Sequence, residues 1–202
     1  MIRTVFFDLG KVLVDFNLDI CLRKISQTSG RDIEELKGLL FSPRMNEFER
    51  GLLTGAEFLG EIHEAIQYPD SLEDMTLAFN DIFELMPDNV SILETISKRM
   101  PVGLISNTNH LHAEFVEANY SFLSLFARRI YSQETGMRKP EAAIFEIACQ
   151  ALNTVPSESI FIDDLATNLE GATALGFHTI HLPPGRDLAR ELIRFPEFQF
   201  LA

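Results

Sequence analysis

The chain has 202 residues, 46% hydrophobic and 23% charged, with a formal net charge of −13. That length supports one sizeable domain, or a core domain carrying a smaller insertion, around a proper hydrophobic interior. The negative balance excludes nucleic acid and anionic membrane as partners, since both are recognised by clustered Lys and Arg; an anionic small substrate stays open, because one lysine and a divalent cation reverse the sign inside a pocket.

No stretch approaches the roughly 18 apolar residues of a membrane span. A strand pattern begins almost at the first residue, with no charged-then-apolar leader, so cytoplasm is the expected location. Cys21 and Cys149 stand in no metal or redox spacing and fit a reduced compartment. Cys149 lies in an apolar helical pattern and reads as core.

Thr4 to Phe7 reads as the first strand, running into the acidic, glycine-containing turn Asp8-Leu9-Gly10. Val12 to Val14 is expected to form a short hairpin flap beside it. From Leu18 the period becomes helical. Leu18, Leu22 and Ile25 recur before Gly30, and Ile33, Leu36 and Leu40 after Asp32, with Glu35 completing a capping box. Thr54 with Glu57 opens a further helix through Phe58, Ile62 and Ile66, and Ser71 with Asp74 another through Met75, Phe79 and Phe83. The segment between Asp15 and Leu85 thus reads as all-helical, with no convincing strand.

After Met86-Pro87, a helix through Val90, Leu93 and Ile96 leads to a strand at Val102 to Ile105, ending at Ser106-Asn107-Thr108-Asn109. Ile130-Tyr131 is a short third strand. Pro140 is expected at the first position of a helix whose apolar face is Ile144, Ile147, Ala148 and Ala151. Ser159 to Ile162 forms a fourth strand ending at Asp163-Asp164, and Phe177 to Leu182 a fifth, with a helix between them closing at Gly176. Strands alternating with helices predict right-handed crossovers and a mainly parallel, doubly wound α/β sheet.

Four polar points then fall past strand ends or at helix starts: Asp8, Ser106-Asn107, Lys139 and Asp163-Asp164. Each has a plain structural reading, as helix cap, solvated lysine or turn. Their joint order is more informative, because ligands of open α/β sheets bind outside the carboxyl ends of the strands. An Asp at such a place can attack a phosphate monoester, dividing one difficult displacement into two easier ones. Magnesium, which favours oxygen ligands, would let the two anions approach, and Lys139 would neutralise charge shared between them. Ser106 and Asn107 would hold phosphate oxygens.

The segments Phe7-Asp8-Leu9-Gly10, Leu104-Ile105-Ser106-Asn107-Thr108-Asn109, Gly136-Met137-Arg138-Lys139-Pro140-Glu141 and Phe161-Ile162-Asp163-Asp164 resemble the four motifs of the haloacid dehalogenase-like (HAD) superfamily. They look most like its capped sugar-phosphate phosphatases, of the α-glucose-1-phosphate phosphatase kind. The resemblance implies a Rossmann-like catalytic core of residues 1–14 plus 86–202. It also implies a helical cap domain, residues 15–85, inserted after the first strand, and Phe48-Glu49-Arg50-Gly51 resembles a turn of such caps. Asp8 is the implied nucleophile and Lys139 its catalytic partner; Asp8, the Gly10 carbonyl and Asp164 are implied magnesium ligands, with Asp163 orienting. The implied reaction is magnesium-dependent hydrolysis of a small phosphorylated metabolite, a sugar phosphate, through an aspartyl-phosphate, by a monomer or homodimer.

One position departs from the pattern. Most phosphatases of the superfamily carry a second Asp two places after the nucleophile, and here that place is Gly10. General acid-base help is worth about 10²–10⁴-fold, so good leaving groups are expected, or a substitute donor such as Asp15. Lys11 either reaches a substrate oxygen or lies solvated on the flap. Arg44, Glu47 and Arg50 could meet a sugar's hydroxyls or form a solvated face, and Asn168 could tie the acidic pair to the next helix. His110 and His112, two apart on a helix, face different ways and make no metal pair. A 2-haloacid dehalogenase shares the nucleophile and lacks the second Asp, but has no use for magnesium. A catalytically weak HAD-fold binding protein is the third reading.

Overall fold

The computed structural model describes all 202 residues, Met1–Ala202. In chain order, β1 (Thr4–Phe7) is followed by β2 (Val14–Phe16) and then by five helices: α1 (Leu18–Ser29), α2 (Ile33–Leu40), α3 (Pro43–Glu49), α4 (Gly55–Ile66) and α5 (Leu72–Asn80). Next come β3 (Phe83–Leu85), α6 (Pro87–Ser97), β4 (Val102–Ser106), α7 (His110–Asn119) and β5 (Arg128–Tyr131). The chain ends with α8 (Ser132–Thr135), α9 (Ala142–Ala151), β6 (Ser159–Asp163), α10 (Ala166–Ala174), β7 (His178–His181) and α11 (Leu188–Leu192). No helix is long and apolar enough to cross a membrane.

Five strands make one parallel sheet in the order β5-β4-β1-β6-β7, with register pairs such as Phe6↔Gly103 and Phe6↔Phe161. Successive side chains of a strand point to opposite faces. Val5, Phe7, Val102, Leu104, Ile160 and Ile162 accordingly face one apolar cluster with Val90, Leu93 and Ile96 of α6. Phe6, Ile105 and Phe161 face the other, with Ile144 and Phe145 of α9 and Leu169 of α10. Burial on both faces explains why these strands are apolar runs without alternation.

Helices α1 to α5 form a separate unit around their own cluster, including Leu22, Ile25, Phe48, Phe58, Ile62 and Phe79, with Phe48 stacked on Phe58 at 4.7 Å between ring centres. Their starts follow side-chain capping. Reciprocal capping boxes at Thr54/Glu57 and Ser71/Asp74 open α4 and α5. At α2 only half of the expected box forms: Asp32 accepts from the Glu34 and Glu35 amides, while the Glu35 carboxylate lies 3.6 Å from Arg31 instead of returning to the cap.

Three local expectations are corrected. Val12 to Val14 is not a self-contained hairpin: Val12 and Leu13 are buried, and the strand begins at Val14, pairing antiparallel with Phe83–Leu85 across the whole helical insert. The segment from Asp15 to Leu85 is therefore bounded by two short strands. Pro140 is not at a helix start either. The Glu141 amide donates to the Arg138 carbonyl at 2.7 Å, closing a turn that contains the cis Lys139-Pro140 peptide, and α9 starts two residues later.

The α3 end of the insert docks closely on the core. Gly51, at φ 70°, lies so close to the Gln133 carbonyl that a Cβ there would come within 2.1 Å of its oxygen. Arg50 pairs with Glu141 and donates to the Gly136 carbonyl at 2.8 Å, and Arg138 contacts Glu49 and Asn46, each at 2.6 Å.

Candidate active site

From β1 the chain winds outward to β4 and β5, then returns to the other side of β1 for β6 and β7. Winding reverses at β1, so the carboxyl ends of β1, β4 and β6 frame one crevice. Asp8 follows β1, Ser106 ends β4, and Asp163 ends β6. Lys139 arrives from the loop before α9. The structure thus gathers all four sequence-predicted points at one place.

The Lys139 ammonium lies 2.7 Å from Asp8 Oδ1 and 2.8 Å from Asp163 Oδ2, and all three residues are buried. Burial pushes the Asp8 carboxyl up to about 7; Lys139 pulls it down, and Asp163 adds to the upward push. Burial alone would lower the Lys139 ammonium, but the facing charges of Asp8 and Asp163 outweigh it and hold the group above its usual value. Asp8 Oδ1 also accepts from the Leu9 amide at 2.7 Å, fixing the carboxylate.

Asp163 and Asp164 differ in their surroundings. The Asp163 carboxylate accepts from the Leu165 amide at 2.8 Å and from Asn168 Nδ2 at 3.0 Å on each oxygen, in addition to Lys139. Asn168 therefore ties Asp163, one member of the acidic pair, to α10. Asp164 is half-buried and no neighbouring side chain bonds its carboxylate; burial, then the Asp163 charge, pushes it above the usual range. Carboxylate oxygens of Asp8, Asp163 and Asp164 lie within 4.8 Å of one another, so three acids face one lysine. That donor set, all oxygen and with surplus negative charge, fits a hard divalent cation such as magnesium.

Asn107 holds the lysine loop. Its Oδ1 accepts from the Lys139 amide at 2.8 Å and its Nδ2 donates to the Lys139 carbonyl at 3.0 Å, which uses the side-chain amide. The same strand end carries contacts that sequence reasoning missed. The buried Ser132 hydroxyl accepts from the Thr108 amide at 3.0 Å and lies 2.6 Å from the Glu49 carbonyl, linking core to insert. Asn109 caps α7 through Oδ1, on the His112 amide at 3.0 Å, which turns its Nδ2 to His112 Nδ1 at 3.2 Å. The ring is then neutral, with Nε2–H donating to the Phe79 carbonyl at 3.3 Å, and burial lowers its pKa to about 4. His110 instead accepts from the Gly55 amide through Nε2, so the two histidines share no site.

A cavity of about 240 Å³ opens between insert and core, bounded by Leu9, Gly10, Ser106 and Asn107 on the core side and by Phe16, Phe41, Met45 and Glu49 on the other. A Cβ at Gly10 would stand 2.7 Å from the Phe16 ring, so the place of the missing acid is filled by an aromatic side chain. Asp15 does not replace it. Its carboxylate bonds Lys11 and the Phe16 amide, and the Lys11 hydrogen bond holds it below the usual range. Lys11, at φ 57°, is itself committed to Asp15 and to the Phe16 carbonyl at 2.7 Å. Arg44 pairs with Glu47 and Glu61, and Arg50 with Glu141; none of these lines the cavity.

Comparison with known proteins agrees with this arrangement. The family model for haloacid dehalogenase-like hydrolases matches residues 2–176. A D-ribitol-5-phosphate phosphatase of Bacteroides thetaiotaomicron is 26% identical over 200 residues, covering 95% of this chain and 97% of that protein. A sesquiterpene phosphatase of Aspergillus oryzae is 27% identical over 196 residues, 94% of each chain. The crystal structure of a HAD-family enzyme of Bacteroides thetaiotaomicron with magnesium and inorganic phosphate superposes with a TM-score of 0.82 at 28% identity, covering 94% of this chain and 98% of that one. Magnesium is thus present in a relative of the same fold, and the acidic cluster here is suited to it. Given a match that spans all but the last strand and helix of the sheet, the chain belongs to the haloacid dehalogenase-like hydrolases.

Proposed function

We propose that the chain is a magnesium-dependent phosphatase that hydrolyses a small phosphorylated metabolite through an aspartyl-phosphate, with the helical insert of residues 15–85 as its cap. The observation that carries this reading is the buried Asp8–Lys139–Asp163 cluster with Asp164 beside it. A dehalogenase needs no cation beside its nucleophile, and an idle binding site needs no buried lysine between two carboxylates, an arrangement costly to desolvate.

When bound by Asp8, the Gly10 carbonyl and Asp164, magnesium supplies the charge neutralisation that lets a phosphate dianion approach a carboxylate. Asp163, saturated with hydrogen bonds, orients Lys139. An Asp8 oxygen attacks phosphorus in line; the bond to the ester oxygen breaks, and that oxygen leaves with the electron pair and takes a proton from solvent. Water then attacks the same phosphorus, the bond to Asp8 breaks with its electrons returning to the carboxylate, and orthophosphate departs with a proton released. Lys139 offsets charge on Asp8 and the phosphoryl oxygens, which Ser106 Oγ–H and the Asn107 backbone N–H hold. With Phe16 where an acid would stand, the leaving oxygen has no side-chain donor, which favours leaving groups of low basicity. The cap closes the cavity against water.

A sugar phosphate is the class implied by the motif resemblance, and one relative is named for ribitol 5-phosphate. Another is named a sesquiterpene phosphatase, so the relatives' names span polyol and hydrocarbon leaving groups. The test is phosphate release from a panel of organic phosphates, with and without magnesium, in the wild type and Asp8→Asn. Magnesium-dependent release lost in the variant is expected. Metal-independent halide release from 2-chloro acids would favour the dehalogenase, and no turnover at all the binding protein.

A further inference from the structure

Resting on the phosphatase reading, we propose that the ester hydrolysed carries a compact apolar body, an aromatic or branched-hydrocarbon alcohol, instead of a polyol. The cavity adjoins the acidic cluster through Leu9, Gly10, Ser106 and Asn107, and away from that end its wall includes Phe16, Leu18, Phe41, Met45, Ile82 and Phe83. Its volume, about 240 Å³, lies below the roughly 300–1,000 Å³ usual for small-molecule sites, which suits a ring or a short branched chain.

Most polar side chains on the wall are already engaged. Asn107 is spent on the Lys139 backbone, Asn109 and His112 on each other, the Thr108 hydroxyl on the Asn109 carbonyl at 3.4 Å, and one Glu49 oxygen on Arg138 at 2.6 Å, while Ser106 is reserved for the phosphate. The charged residues of the insert that could have met hydroxyls, Arg44, Glu47 and Arg50, are paired away from the cavity. A sugar or alditol would therefore bury more hydroxyls than the wall can pair, which is costly, whereas a hydrocarbon body gives up nothing on leaving water. An apolar wall rejects one added hydroxyl only about 10²-fold, so the discrimination rests on the several hydroxyls that a polyol body carries. At the mouth, Phe41 is 43% exposed, an apolar surface that such a body would cover.

The experiment compares kcat/KM, with magnesium, for benzyl phosphate and 3-methylbutyl phosphate against ribitol 5-phosphate and glucose 6-phosphate. All are esters of primary alcohols; the hydrocarbon alcohols are the more basic leaving groups, so a preference for their esters would run against leaving-group chemistry and report on the body alone. Acetyl phosphate, whose small acyl group leaves the wall unfilled, is the common control. The apolar esters are expected to exceed the polyol esters by at least tenfold. Phe41→Ser is expected to raise KM for benzyl phosphate at least fivefold more than for acetyl phosphate. A thermal shift with benzylphosphonate, absent with ribitol 5-phosphate on Asp8→Asn, is the matching binding result. Equal or better turnover of the polyol esters, with acetyl phosphate hydrolysed in an Asp8-dependent way, overturns the apolar substrate class alone. No Asp8-dependent release from acetyl phosphate or any ester overturns the phosphatase reading together with it.

Discussion

His112 makes a separable contribution to the acid stability of this protein. It is buried, stacked on Phe79 at 4.4 Å, and held as the neutral tautomer by Asn109 and the Phe79 carbonyl. Burial lowers its pKa to about 4, against about 6.5 for a free imidazole. Between those values the unfolded chain binds a proton that the folded protein refuses, so stability is complete above pH 6.5 and falls as pH drops toward 4. At about 1.4 kcal/mol per pH unit, that gap of about 2.5 units corresponds to about 3 kcal/mol. Urea unfolding of the metal-free protein at pH 7.5 and pH 4.5, compared with His112→Gln, isolates the effect, because every other titrating group is common to both chains. The variant starts less stable by a constant amount but should lose about 2–3 kcal/mol less than the wild type on acidification. Parallel losses in the two proteins would refute the reasoning.

Other expectations follow from the buried acid cluster and the Gly10 contact. Lys139→Met leaves Asp8 and Asp163 facing each other without a cation and should cost about 3–5 kcal/mol of stability at pH 8, read by urea unfolding without metal; a cost near zero would mean the pair is not buried charge. With Asp8 pushed up to about 7, a proton competes with the cation, so magnesium affinity by calorimetric titration should weaken about tenfold per pH unit below 7 and level off above it. A flat profile from pH 5.5 to 8 would contradict this. Gly10→Asp should destabilise by about 1–3 kcal/mol because its Cβ meets the Phe16 ring at 2.7 Å, and adding Phe16→Ala should recover part of that loss. Strict additivity in the double-mutant cycle would show that the two side chains do not meet.

Much of this was legible in the sequence for identifiable reasons. Parallel strands buried on both faces are apolar runs, so Thr4–Phe7, Val102–Ser106 and Ser159–Asp163 stood out, and capping boxes at Thr54 and Ser71 are local chemistry. The four polar points were visible because each follows such a run. What was hidden depends on partners far away in sequence. A three-residue strand at Val14 has no signature until Leu85 lies beside it. The spending of the Asn107 amide on Lys139, and the Phe16 ring against Gly10, are choices among partners that only packing makes. Glu35 had the spacing of a cap residue, yet Arg31, four positions earlier, offered it a charge.

The β2–β3 ladder also has a consequence for engineering. Because Val14 and Leu85 are register partners, the polypeptide leaves the core and re-enters it at adjacent points, so the five-helix segment is a cassette with a single two-stranded stem. Short turns join antiparallel neighbours readily. Closing that stem with a two-residue turn would remove all five helices at once, and foreign helical cassettes could be spliced onto it without disturbing a single strand of the parallel sheet.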